Sequence, residues 1–289
     1  MYKFDFVAVR SPEEAVARLA ERGPDGRPIA GGTDLLVQTR ARLITPAYVV
    51  DLGNIAELAR LAQEPDGAIW IGATARMRAI QLSPLFRGAY RVIAEGAGLV
   101  GSIQIRNLAT AGGNLCNAAP SADLAPPLLA VGAVAEILGP SGRRTVPLED
   151  FFLGPRRTVL APAEILLGVR VPRLPPRTGG HYARHTPRRE MDIAVVGVAA
   201  VVTLDNGHCA DVRIALGAVA PTPIRATRAE AVLRGQPLSA EVIAEAARRA
   251  AEDARPISDV RGSADFRRHL VRVLTRRTLE QAWTNAQEG

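Results

Sequence analysis

An α+β fold is predicted, and three observations predict it. The first third of the chain alternates strand-like runs with capped helical ones. Asp205-Asn206-Gly207 joins two alternating apolar runs as a hairpin would. Roughly the last sixty residues then carry helical periodicity. The chain has 289 residues, and at about 150 residues per domain that length suggests two domains.

Tyr2, Phe4 and Phe6 alternate with polar residues as a strand. Ser11-Pro12-Glu13-Glu14 supplies a helix cap, a proline in the first turn and a glutamate three residues after the serine. Ala15, Val16, Leu19 and Ala20 form that helix's buried stripe, and Gly23 stops it. A strand over 28–30 runs into Gly31-Gly32, with Thr33 or Asp34 placed to cap a helix over 35–43. Strands follow at 48–52 and 68–73, with a short helix at 54–61 between them. A helical region covers 77–99 and is interrupted near Pro84. The stretch 100–127 is rich in glycine, alanine, asparagine and proline and reads as a long apolar loop, a feature compact domains keep for function. Strands at 130–138 and 165–171 return to the same sheet. Pro172 to Gly180 reads as a linker. Val198, Ala200, Val202 and Leu204 alternate, the Asn-Gly turn follows, and Val212, Ile214 and Leu216 alternate again. Ser239 caps a helix over 240–254, and a further helix spans 264–283.

The composition is 47% hydrophobic and 22% charged, enough to build a core without staples. The longest nearly uninterrupted apolar run, Ile193 to Leu204, is far short of the roughly 20 residues of a membrane span. The N-terminus lacks the apolar stretch of a signal peptide, so a cytoplasmic protein is expected. Cys116 and Cys209 stand too far apart for a CxxC or Cys/His metal spacing, which argues against an iron–sulfur cluster held by this chain alone. The net charge is +7. Lys3 is the only lysine, and the arginines are scattered, either as compositional habit or as a basic face for phosphates or an acidic partner. Aromatics at 4% provide no stacking platform for nucleic acid. His181 and His185 are four apart, but the proline- and glycine-rich approach argues against a metal-binding helix.

Two double-glycine segments carry the chemistry: Ile29-Ala30-Gly31-Gly32-Thr33-Asp34-Leu35 and Ala109-Thr110-Ala111-Gly112-Gly113-Asn114-Leu115. Paired glycines admit positive φ and bring backbone close to a ligand. Their amides can point at an anion, and two such loops suit a diphosphate. Each alone is equally a plain turn. No GxGxxG follows a strand-like run and opens a helix, so a Rossmann dinucleotide site is not supported.

AGGTDLL at 30–36, GSIQIRNLATAGGNLCNAAPSADLAPPLLA at 101–130, EILLGVRVP at 164–172 and RREMDIAVV at 188–196 occur in order. Together they resemble the FAD-binding medium subunit of the molybdenum hydroxylases, the group of xanthine dehydrogenase and carbon monoxide dehydrogenase. The resemblance covers essentially the whole chain. It implies a two-lobed FAD-binding domain of the PCMH (vanillyl-alcohol-oxidase-like) type over 1–175, with lobes of about 1–55 and 56–175. A C-terminal domain with an antiparallel sheet and helices follows over 176–289. Flavin contacts are implied at Ile29, Ala30, Gly31, Gly32, Thr33, Asp34 and Leu35, and at Thr110, Ala111, Gly112, Gly113 and Asn114. Gly101 would border the same cleft. Asp123 would accept hydrogen bonds from ribityl or ribose hydroxyls, although an isolated Asp at a helix start is also a natural cap. Leu166 resembles a backbone contact to the ring, Arg184 stands where relatives carry lysine, and Ile193 matches a residue packed on the flavin or is a plain strand residue.

The resemblance further implies a large molybdopterin-binding subunit and a small subunit with 2Fe-2S clusters, so the molybdenum cofactor lies off this chain. Electrons would pass through FAD to NAD⁺, a quinone, oxygen or another acceptor. No catalytic acid or base is expected here. The alternatives are a self-sufficient FAD-dependent oxidoreductase of the same fold, and a scaffold whose glycines merely turn.

Overall fold

The computed structural model describes residues 3–188 and 190–288. Strand β1 (Asp5–Ala8), helix α1 (Pro12–Arg22), β2 (Gly26–Ile29), α2 (Leu35–Arg40) and β3 (Tyr48–Asp51) form the first lobe, a parallel sheet ordered β1-β3-β2. The Ser11 hydroxyl caps α1 by accepting from the Glu14 amide at 3.1 Å, and the Glu14 carboxylate accepts from the amide of Arg10, one residue before the cap, at 2.9 Å. Tyr2 lies outside the described residues, and Phe6 is 61% exposed. Val7 and Val9 point inward instead. Phe6 pairs with Val49, on the opposite parity to Val7 and Val50, so the register turns the aromatic position away from that core. Asp34 stands at the N-cap of α2, but its side chain makes no capping bond.

The second lobe comprises β4 (Leu61–Gln63), β5 (Ile69–Gly72), α3 (Met77–Leu82), α4 (Arg91–Leu99), α5 (Ile103–Arg106), α6 (Ala111–Asn117), α7 (Ala125–Ala130), β6 (Val134–Gly139), β7 (Gly142–Pro147), β8 (Phe152–Gly154), β9 (Arg157–Thr158) and β10 (Ile165–Val171). Five of these strands make an antiparallel sheet ordered β4-β5-β10-β6-β7. The expected loop over 100–127 is therefore three short helices. Helices of four to seven residues are too brief to display a period. Their signals were the caps: Ser102 accepts from the Ile105 amide and Thr110 from the Gly113 amide. Residues 130–133, expected as strand, are the end of α7 and a turn through Gly132 (φ +70°).

The third region holds β11 (Thr178–His185), β12 (Val196–Asp205), β13 (His208–Gly217), β14 (Ile224–Arg225), α8 (Thr227–Leu233), α9 (Ala240–Asp253) and α10 (Ala264–Glu288). Its sheet is antiparallel, ordered β11-β12-β13-β14. Asn206 (φ 48°) and Gly207 (φ 82°) both take positive φ in the β12–β13 turn, as a type I′ hairpin requires. Gly179 and Gly180 belong to β11 rather than to a linker. A Cβ on Gly179 would lie 2.2 Å from the Ala282 carbonyl, and one on Gly180 2.7 Å from the Ala89 carbonyl. Close backbone approach, not flexibility, accounts for these two glycines.

The layers stack through three cores. The first lobe and one face of the five-stranded sheet enclose Leu19, Tyr48, Val50, Leu58, Leu138 and Leu167. The other face of that sheet packs Ile71, Ile137 and Val169 against Leu115, Leu124 and Leu128, and the same core takes in Tyr182, Ala199, Val201 and Ala215 of the third region. The far face of the third sheet sends Val198, Ala200, Val202, Ile214 and Leu216 onto α8–α10. β12 thus alternates between two cores, which is why its sequence is apolar at nearly every position. Among the described residues no helix is long and apolar enough to cross a membrane.

Candidate functional site

The first double-glycine segment links β2 to α2, and Gly32 takes φ +70°, a conformation that favours glycine. Gly31 abuts the second lobe: a Cβ there would lie 1.9 Å from the Leu108 carbonyl oxygen. The two glycine segments are therefore neighbours, and Gln38 Nε2 reinforces the approach by donating to Asn117 Oδ1 at 3.1 Å. Among the described residues, none accepts a hydrogen bond from the amides of Gly31, Gly32, Thr33 or Asp34. These amides are left over to donate to an anion.

The second segment differs. It is the first turn of α6, and neither Gly112 nor Gly113 has positive φ. Its amides are already spent: Ala111 donates to the Ala75 carbonyl (2.9 Å), Gly112 to the Ala73 carbonyl (2.7 Å) and Gly113 to Thr110 Oγ1 (3.1 Å). The expectation that both loops present free amides to a diphosphate is corrected here, because Ala73, Ala75 and Thr110 use those of the second. What this segment offers is a bare Cα and side chains. A Cβ on Gly112 would collide with Ala73, whereas one on Gly113 would meet only Thr110 Oγ1 at 3.0 Å. Asn114 Oδ1 is buried without a partner among the described residues.

Asp123 is not a cap. Leu124 holds the N-cap position of α7, and no side chain caps it. The Asp123 carboxylate instead accepts from the Tyr182 hydroxyl on Oδ1 at 2.9 Å and from Arg184 Nη1 on Oδ2. The Arg184 and Asp123 side chains are 4% and 8% exposed. Burial pushes the Asp123 carboxyl up to about 6, against the opposing pull of Arg184 and the Tyr182 hydrogen bond. Each carboxylate oxygen keeps a second lone pair, and Arg184 Nη2 is buried with no partner among the described residues. Tyr182 and Arg184 are two apart on β11 and so share one face. That alternation was the signal that could have nominated Tyr182, which sequence reasoning missed.

Gly101 (φ +50°) lies beside Ile105, and its carbonyl accepts from the Met191 amide at 3.4 Å. This bond draws the segment after β11 toward the second lobe. Ile193 on that segment is 47% exposed and free to cover something flat. Leu166 has its side chain in the middle core, and the ladder shifts register immediately after it. Arg106 is buried, with Nη1 on the Val100 carbonyl at 3.0 Å, and was also missed. His181 pairs with Glu95 at 3.1 Å and His185 sets its ring edge-on to Phe266, so the two histidines serve separate contacts. Burial pushes the Cys116 thiol up to about 12, which suits packing and not nucleophilic attack.

The unpartnered Arg184 Nη2 and Asn114 Oδ1, the free amides at 31–34 and the bare Gly113 fit a phosphate-bearing, hydroxyl-rich cofactor such as FAD. Comparison with known proteins agrees. Residues 2–174 match the FAD binding domain in molybdopterin dehydrogenase, and residues 181–282 match the CO dehydrogenase flavoprotein C-terminal domain. A putative xanthine dehydrogenase FAD-binding subunit of Escherichia coli is 34% identical over 96% of this chain and 97% of its own. The carbon monoxide dehydrogenase medium chain of Afipia carboxidovorans is 35% identical over 98% of both. Among solved structures, carbon monoxide dehydrogenase from Hydrogenophaga pseudoflava superposes with a TM-score of 0.94 at 35% identity, covering 98% of each chain. Quinoline 2-oxidoreductase from Pseudomonas putida does so with 0.91 at 32% over the same share.

Proposed function

Because this chain belongs to the family of FAD-binding subunits of molybdenum-containing dehydrogenases, we propose that it is the electron-relay subunit of such a complex. It takes electrons from 2Fe-2S clusters on a small partner and passes them to NAD⁺, a quinone, oxygen or another acceptor. The electrons originate at the molybdopterin centre of a large partner, and the assembled enzyme works in the cytoplasm. When bound, FAD supplies the redox chemistry.

This chain's residues hold and orient. The amides of Gly31, Gly32, Thr33 and Asp34 donate to the pyrophosphate, and the exposed Gly113 lets it approach α6. Thr110, whose oxygen accepts from Gly113, keeps its hydroxyl proton to donate. Asp123 accepts from sugar or ribityl hydroxyls through its remaining lone pairs. Arg184 offers Nη2 to the polar edge of the ring. Ile193 covers one ring face and excludes water, while Leu166 and Gly101 line the cleft.

The observation that carries this reading is the buried Asp123–Arg184 pair with one guanidinium nitrogen left over. Unmet donors at such depth cost on the order of 1–3 kcal/mol each, and a polar ligand removes that cost. Relay also has a kinetic signature. The isolated flavin-loaded subunit should be reduced by dithionite but not by aldehydes, purines, other heteroaromatics or carbon monoxide. Adding the partner subunits should let one of these substrates bleach the flavin. Anaerobic bleaching of the isolated subunit by an organic substrate would instead place the catalytic centre on this chain.

A further inference from the structure

We infer that Tyr182 is a positioning residue for the flavin site, and that Gly197 is the space its hydroxyl requires. The inference rests on the FAD reading above and extends it to two residues that would not touch the cofactor.

Tyr182 is 3% exposed and sits in the middle core. A phenol there needs a partner for its hydroxyl, and it donates to Asp123 Oδ1 at 2.9 Å. Its backbone is fixed as well: the Tyr182 amide donates to Glu95 Oε2 at 2.8 Å, and Glu95 is held in turn by Arg91 and His181 at 3.1 Å each. The ring thus stands between a carboxylate anchored on α4 and the carboxylate of the candidate site. The neighbouring strand makes room for it. A Cβ on Gly197 would lie 2.6 Å from the Tyr182 hydroxyl oxygen, and 3.3 Å from the nearest ring carbons. A side chain at 197 would therefore push on the hydroxyl rather than on the ring.

The consequence falls on Asp123 and then on Arg184. Arg184 reaches Asp123 Oδ2 with Nη1 alone, leaving Nη2 unpartnered. A bidentate Arg–carboxylate pair would use both oxygens and both nitrogens. The Tyr182 bond ties Oδ1 to the phenol and so fixes the carboxylate's orientation. It holds the carboxylate rotated so that the guanidinium engages one oxygen and keeps a donor for the ligand. Without the phenol hydroxyl, Arg184 closes onto both oxygens and the site loses its spare donor.

Tyr182→Phe removes only the hydroxyl, leaving the ring in the core. FAD affinity of the full chain, read by fluorescence titration of the flavin-stripped protein, should fall by about tenfold, as expected for one hydrogen bond to a charged group. The flavin reduction potential and its visible spectrum should shift with it, a change that mere loss of packing would not produce. Gly197→Ala should weaken FAD comparably in the native background but have little further effect on Tyr182→Phe, since the atom it displaces is gone. Tyr182→Phe with native affinity, spectrum and potential, or additive effects of the two substitutions, would overturn the inference while leaving FAD binding itself intact. A native chain that takes up no FAD would instead overturn the reading on which it rests.

Discussion

At Asp123, burial and ion pairing pull in opposite directions, and burial prevails. With the carboxyl raised from 3.8 to about 6, the folded chain holds its proton more tightly than the unfolded one. Stability from this group is therefore fully present below about pH 4 and is lost as pH rises through 6. Flavin-free protein should lose roughly 2–3 kcal/mol from this source over that window. Asp123→Asn should flatten that part of the profile, as read from urea unfolding at pH 4.5 and 7. Parallel profiles for the two proteins would contradict it. The two candidate phosphate glycines should part company in a similar comparison. Valine at either Gly32 or Gly113 should abolish most flavin retention, measured by released-flavin fluorescence. Only Gly32→Val should also destabilise the flavin-free fold, by about 1–2 kcal/mol, because φ +70° is hostile to a β-branched residue. Gly113 is helical, and valine is tolerated there in the absence of ligand.

Elements were legible where sequence and burial carried the same period. The Ser11 cap of α1, the Asn206-Gly207 turn and the Ser239 cap of α9 are local chemistry, and the chain forms each where that chemistry lies. β10 reads correctly because its apolar run spans a strand buried on both faces. The failures are equally physical. Helices α5 and α6 are shorter than two turns, so no period could reveal them. Phe6 shows that aromatic alternation identifies a strand without saying which parity faces inward. In the candidate site, the sequence marked the two glycine segments but not which of their amides stay free. Whether a loop amide is free depends on the strand beside it, here the extension of β5 that takes up Ala111 and Gly112. A turn that was read correctly gives a test at this scale. Replacing Asn206 and Gly207 with two alanines should cost about 2–4 kcal/mol, since two residues would be forced to positive φ. FAD affinity should remain unchanged in the same variant, because the hairpin end is far along the strands from Tyr182 and Arg184.

For the molecule as a whole, the middle core is closed from both sides. Its near wall is the five-stranded sheet and its far wall includes Tyr182, Ala199, Val201 and Ala215. A fragment ending at residue 175 lacks that far wall and should behave as a compact but loosely packed state, with dye-binding apolar surface, weak near-ultraviolet dichroism and no flavin. A fragment that retained flavin and native-like dichroism would show that the third region is dispensable. The relatives' place in multi-subunit dehydrogenases predicts that the full chain, co-expressed with its genomic neighbours, co-purifies with molybdenum- and iron-bearing polypeptides. Elution as a flavin-loaded monomer with full substrate turnover would refute this.

The bond between Asp123 and Arg184 spans 61 positions of chain, and during synthesis those positions are not available together. At roughly 5–20 residues per second, several seconds separate the translation of the carboxylate from that of the arginine. The wall behind the carboxylate is made later still, with β12 and β13. A nascent chain already displaying both glycine segments therefore has no finished pocket. With the flavin site as proposed, cofactor capture waits until β13 has emerged, so flavin loading would report on a chain made at least through Gly217.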